Sequence, residues 1–203
     1  MAPIILWQAA GRQRGYNPGK QKLEVKMTLL NSAAYQSFEK IPWLARVRRN
    51  HGLEHATLHV LAKRYPGKNM AGHSDNKGFW LIGDLSTEEV ASAVDEALQR
   101  MQAGESNLAV HPNCGTNFAT AGTMAGVAGA AAMLGVGPRK RDKLDRLALA
   151  ASLATIALIF AQPVGLFVQK YFTTSGVPGE LNVVEITPTQ RGKLKAHRVI
   201  TQG

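Results

Sequence analysis

The chain has 203 residues, 45% of them hydrophobic, with a formal net charge of +10 and one cysteine. That length and apolar content exclude a chain disordered throughout, and a lone cysteine excludes an internal disulfide framework. The positive charge points to nucleic acid or to an anionic membrane surface, and the placement of the apolar residues has to decide between them.

Residues 1–26 hold a short apolar start and then Gly, Pro, Gln and basic residues without a helical period, which predicts a disordered extension. The apolar start lacks a basic region before it and is a poor signal peptide. From Met27 to Arg49 the pattern predicts short helices broken at Pro42. Trp43, Leu44 and Val47 beside Arg46, Arg48 and Arg49 form a segment suited to a membrane interface, with Trp at headgroup depth and Arg on acidic lipid. No DNA- or RNA-binding motif accompanies the charge, so the expected partner is the lipid bilayer, with no nucleic acid.

The stretch NHGLEHATLHVLAKRYPG, residues 50–67, predicts a helix capped by Asn50 and stopped at Pro66-Gly67. Leu53, Ala56, Thr57 and Val60 fall on one side of it, and His51, His55, Leu58 and His59 on the other. His51 and His55 are one turn apart, the spacing that lets two imidazoles reach one zinc ion, and Glu54 projects close enough to serve as general base.

Residues 68–77 read as a polar loop and 78–83 as a buried strand ending at Asp84. Ser86 opens a capping box for a helix over 87–103, and 108–110 reads as a second strand entering HPNCGTN. Strand, helix, strand makes one βαβ unit, whose parallel pairing would set Asp84 and His111 side by side at one sheet edge. His111-x-x-Cys114 has the gap of a tight turn that presents two ligands to one metal. The expected zinc site thus draws on His51, His55, His111 and Cys114, with Asp84 orienting a histidine and Glu54 left for chemistry. His59 and His73 are spare candidates, and ordinary histidines bonded to backbone are the competing reading.

Residues 119–136 and 147–168 carry no charge, and each is long enough to cross a hydrocarbon core of about 30 Å as a helix. They predict a transmembrane hairpin, with Gly122-x-x-x-Gly126 and Ala148-x-x-x-Ser152 offering surfaces for close helix contact. Their connecting loop, 137–146, has five basic residues against two acidic and would be held in the cytoplasm. The basic, leaderless N-terminal part instead favours a cytoplasmic site domain, and that placement is the one expected in a multi-pass protein of the cell membrane. The expected fold is α+β: a small soluble domain over 27–118 with a βαβ unit and a His-bearing helix, a two-helix transmembrane hairpin over 119–169, and a tail over 170–203 with short strands.

The order H-x-x-E-H over residues 51–55 resembles the motif of the inverted zincins, metallopeptidases in which the two His bind zinc and the Glu is the general base. NHGLEHATLHVL, AGHSD, GFWLIGD and HPNCGTN, followed by a Gly/Ala-rich apolar hairpin, are similar over residues 28–170 to a family of small bacterial membrane proteins known only as a domain of unknown function. The first resemblance implies peptidase chemistry; the second implies a membrane location and brings no activity. Two functions are therefore expected to compete. One is a membrane-tethered zinc hydrolase with Glu54 as base. The other is a non-catalytic membrane subunit or assembly factor, in a homo-oligomer or larger complex, whose His/Cys cluster is structural.

Overall fold

The computed structural model describes residues 36–37 and 40–203; the extension expected over 1–26 lies outside them. Helix α1 spans Pro42–Arg64 and begins with a proline in its first turn. A proline there costs nothing, because that N–H has no partner within a helix, so Pro42 starts the helix where the pattern predicted a break. Asn50 consequently lies in mid-helix and not at a cap. It is fully buried, donates from Nδ2 to Asp75 O at 2.9 Å and accepts from the Thr201 hydroxyl at 2.6 Å. The predicted end holds: the helix stops at Tyr65, before Pro66 and a left-handed Gly67.

The segment expected as a polar loop forms strand β1, Ala71–Asp75, which pairs with β2, Gly78–Ile82, in a hairpin. Its polar residues hid it, since an edge strand need not show an apolar run. Helix α2, Thr87–Gln102, carries the predicted capping box, with Ser86 N–H donating to Glu89 and Glu89 N–H donating to the Ser86 hydroxyl. After it the expected second strand is a short 3-10 turn, Ser106–Ala109. The βαβ unit is therefore not formed. β2 pairs instead with β4, Leu194–Gln202, which pairs with β3, Asn182–Arg191, giving one antiparallel sheet in the order β1-β2-β4-β3. The C-terminal strands thus fold together with residues 71–82.

One face of this sheet packs on α1 and α2 around Leu53, Leu61, Phe79, Leu81, Val94 and Met101, all buried. Each such side chain contributes about 1.5–3 kcal/mol by leaving water, so this layer holds α1 rigidly against the sheet.

Helix α3, Gly115–Ala132, and helix α4, Lys140–Val168, pack as an antiparallel pair. A single π turn, Gln169–Thr173, prolongs α4. Among the described residues only Lys140–Thr173 is long and apolar enough to cross a membrane. The expected two-helix transmembrane hairpin is corrected accordingly: the helical pair exists, but α3, diluted by Gly and Thr, does not reach the apolarity of its partner. The small residues also act elsewhere than expected. A Cβ on Gly122 or Gly126 would meet nothing within 4 Å, whereas one on Gly165 would press on Asn117, with its Cα at 3.1 Å. The helices are in close contact where α3 begins and α4 ends.

Candidate metal centre

That end of the hairpin is where the chemistry-bearing residues gather. α1 supplies His51, Glu54 and His55 from consecutive turns, and the turn before α3 supplies Cys114 as N-cap residue, its Sγ accepting from Thr116 N–H at 3.4 Å. The ligand atoms of His51, His55 and Cys114 all lie within 4.8 Å of one another. Cys114 Sγ is 3.3 Å from His51 Nε2, and the two imidazoles stand edge to face with centroids 4.4 Å apart.

Each imidazole is fixed from behind. His51 Nδ1 donates to Thr173 O at 3.0 Å and His55 Nδ1 to Ala109 O at 2.7 Å. A carbonyl can only accept, so both rings carry their proton on Nδ1 and turn the Nε2 lone pair toward the sulfur. Metal-binding histidines are oriented in this way by an acceptor behind the ring. Burial alone would push the Cys114 thiol up; the neighbouring His55 and the hydrogen bond from Thr116 N–H outweigh it and hold the thiol below its ordinary value, favouring the thiolate that a metal requires.

His111 stands beside this set and not within it. Its ring centroid is 5.7 Å from that of His55 and 4.8 Å from that of His59. Its Nδ1 accepts the Asn113 N–H at 3.2 Å, which places its own proton on Nε2. Burial, then the neighbouring His59 and His55, lower its pKa to about 4, so it is a neutral donor at the cleft wall. His59 is spent on structure, donating from Nε2 to Val110 O at 2.9 Å.

Asp84 is elsewhere. It pairs with Lys195 at 2.7 Å and its side chain is 81% exposed. Its expected role as the orienting partner of a histidine is corrected: the parallel strand pair that would have brought it beside His111 is absent, and backbone carbonyls orient the rings instead.

Glu54 lines the same cleft of about 400 Å³ as His51, His55, His111 and Cys114. It is buried, and burial raises its carboxyl above the usual range, while the Ser74 hydroxyl and the nearby His51 pull the other way. Ser74 Oγ donates to Glu54 Oε2. On Gly72, one residue pair along β1, an added Cβ would lie 2.5 Å from Glu54 Cδ and 2.6 Å from Cγ. The strand can pass over the carboxylate only because Gly72 has no side chain.

Several contributors were not foreseen. Gly52, inside the H-x-x-E-H stretch, lets α1 touch the chain after the π turn; a Cβ there would overlap Ser175 O and lie 3.1 Å from its carbonyl carbon. Gln169, fully buried, donates to Asn117 Oδ1 at 2.6 Å and accepts from His111 N–H at 3.0 Å. Asn117 Nδ2 in turn donates to Pro112 O at 2.6 Å. Arg48, expected at lipid, is buried and donates to Thr174 O at 3.1 Å. The one sequence signal, for Asn117 and Gln169 alone, was polar residues at the ends of an apolar helix pair.

Fold and site together define an α+β chain with a His/His/Cys cluster that could hold a metal ion, set where an apolar helix pair meets the sheet domain. The chain belongs to the family described as "Domain of unknown function (DUF6391)", which matches residues 46–186 and so takes in the whole cluster. It is 37% identical over 150 residues to an uncharacterised protein of Picosynechococcus sp., an alignment covering 69% of this chain and 71% of the relative. No solved structure matches it.

Proposed function

We propose that this chain is a membrane-anchored zinc hydrolase acting on peptide bonds, with zinc held by His51, His55 and Cys114 and with Glu54 as general base. The observation that carries the reading is the asymmetry of the site: three convergent ligands back one side, and the remaining side opens on a cleft walled by a buried carboxylate. Three protein ligands with an open position is the pattern of catalytic zinc, whereas structural zinc is closed by four.

A zinc ion there would supply Lewis acidity that makes water nucleophilic at neutral pH. Glu54, freed from Ser74, takes the proton of the attacking water and passes it to the leaving amine. His111, with its proton on Nε2, is placed to donate to the oxygen of the scissile carbonyl as charge develops there.

The bilayer is the proposed partner of the hairpin. Leu147, Ile156, Ile159, Phe160 and Phe167 of α4 are exposed, and Trp43, 62% exposed on α1, is the residue proposed for the interface. In the multi-pass reading α3 crosses beside α4, and its open Gly122-x-x-x-Gly126 face accommodates another helix, from a second copy or a larger complex. The centre and the basic loop 137–146 then face opposite sides of the membrane, so labelling either with an impermeant reagent assigns both.

Metal analysis of the purified chain and hydrolysis assays of Glu54→Gln test the reading. One zinc per chain with hydrolysis reduced about 10²–10⁴-fold in the variant is expected. A zinc-loaded Glu54→Gln with full activity, or a chain that binds no zinc, would sink it. Spectroscopy of a cobalt-substituted chain separates the structural alternative, in which His111 closes the centre as fourth ligand and small anions fail to perturb the spectrum.

A further inference from the structure

Strand β1 is one edge of the sheet, with β2 on one side and, among the described residues, no strand on the other. Which of its main-chain groups face the open side follows from the ladder beyond β2. Gly83 N–H donates to Lys195 O and Thr201 N–H to Lys77 O. Main-chain groups alternate along a strand, so Phe79 and Leu81 turn theirs to β4, while Gly78, Trp80 and Ile82 turn theirs to β1. The partners of those three are Asp75, His73 and Ala71. Gly72 and Ser74 are left with N–H and C=O directed away from the sheet, and among the described residues neither makes a main-chain hydrogen bond outside the ladder.

These are the two residues that position Glu54, one by its hydroxyl and one by having no side chain. They also line the cleft that holds His51, His55 and Cys114. The opposite edge of the sheet is built differently. β3 carries Pro188 and a register shift between Val183 and Glu185, both of which blunt an edge against pairing. β1, Ala-Gly-His-Ser-Asp, has neither. At roughly 3.4 Å per residue it offers an edge about 17 Å long, enough for four or five residues of an extended chain.

We propose that the free edge of β1 takes an extended polypeptide segment as an added strand, bonded to the main chain of Gly72 and Ser74 and running past Glu54 and the metal centre. The proposal rests on the hydrolase reading and names its substrate class: unfolded or extended polypeptide, in preference to a folded protein or a small amide. Recognition through main-chain hydrogen bonds is tolerant of sequence, and selectivity falls to alternate side chains. Val47, Leu58 and Met70 on the cleft wall favour an apolar one.

The test uses the full chain in detergent, zinc-loaded and carrying Glu54→Gln so that bound polypeptide survives, with fluorescein-labelled β-casein as probe. Hydrogen exchange read by mass spectrometry is expected to slow about tenfold across residues 71–75 and to stay unchanged across β3. A casein peptide from the bound segment, N-methylated at alternate residues, is expected to lose binding at least about tenfold in one phase of methylation and to keep it in the other. Unchanged exchange at 71–75, or equal binding of both methylated phases, overturns the proposal. Zinc- and Glu54-dependent hydrolysis of 4-nitrophenyl acetate by a chain whose β1 casein does not protect removes the added strand alone. Protection of β1 without zinc-dependent cleavage of casein by the unsubstituted chain supports the strand and removes the hydrolase.

Discussion

Replacing Gly72 by Ala adds one methyl group where the structure has no room for it. The new Cβ would lie 2.5 Å from Glu54 Cδ and 2.6 Å from Cγ, against ordinary contacts of 3.4–4 Å, so either the carboxylate leaves its position or β1 lifts off α1. Glu54 is buried on a helix held by the core, and it cannot swing aside without giving up Ser74. Overpacking of this kind costs about 1–3 kcal/mol. Alanine recovers roughly 0.5–1 kcal/mol through its smaller loss of backbone freedom in a strand. The net loss is on the order of 1 kcal/mol, or about 2–4 °C in melting temperature for a chain of this size. On the proposed function the effect on hydrolysis should be much larger, about 10²-fold or more, because the proposed base is displaced from the cleft. Gly129→Ala on α3 is the control, since a Cβ there meets nothing within 4 Å and Gly129 is not one of the pair proposed to face another helix; it should be neutral or stabilising by up to about 1 kcal/mol. Melting curves and hydrolysis rates of the two variants, side by side in one detergent, decide the matter. A Gly72→Ala chain with unchanged melting and hydrolysis within twofold of the parent would refute the placement of Glu54 beneath β1.

Cys114→Ser and His55→Ala should each abolish stoichiometric zinc by elemental analysis, and a chelator should lower the melting of the parent but of neither variant, by about 2.7 kcal/mol when free zinc had stood at a hundred times its Kd. Gln169→Leu leaves Asn117 Oδ1 and His111 N–H without partners in a buried place, at about 1–3 kcal/mol each, and should weaken zinc binding about 10–100-fold although Gln169 touches no ligand atom; an unchanged zinc titration would refute it. Asp75 supplies the pH dependence. Burial alone would raise its carboxyl, but hydrogen bonds from Arg198 and the Lys77 amide outweigh that and hold it below 3.8. Its contribution is therefore complete above the unfolded value and is lost as pH falls through the folded one. Asp75→Asn should cost less than about 1 kcal/mol in denaturant unfolding at pH 7, the pair being partly exposed, and nothing once both states are protonated; an equal cost at both pH values would point to a cause other than charge.

The helix bearing His51, Glu54 and His55 was legible because its stop signal and its apolar spacing are local properties, and so were α2 and its capping box. The convergence of Cys114 with the two histidines was legible only as residue chemistry, since spacing says nothing about which distant turn folds back on a helix. The strand pairing was not legible. Residues 108–110 and 71–75 are both short, and local pattern could not show that the first coils into a 3-10 turn while the second pairs with β2. What decides it is β4, about 120 residues further on, whose pairing with β2 takes the place a parallel strand would have filled. Asp84 followed the wrong topology to the wrong partner. Gly52 and Gly72 were invisible for a related reason, because a glycine needed for close approach reads like any other until the approaching chain is known.

The end of α4 ties these observations to one cause. From the π turn and the few residues after it come Gln169, which holds the backbone of the His111 turn, Thr173 O, which sets the His51 tautomer, Thr174 O, which takes Arg48, and Ser175, against which Gly52 packs. The last carbonyls of a helix have no partner within it. Here those of Thr173 and Thr174 bind residues of α1, and the Gln169 side chain binds the turn before α3, on both sides of the cleft. A tilt of α4 relative to the sheet would move Thr173 O against His51 while leaving Ala109 O on His55, so the two imidazoles would part before either lost its helix. The proposed metal centre therefore depends on the apolar helix pair being seated, and if a bilayer seats it, zinc affinity should track the bilayer thickness that sets the tilt.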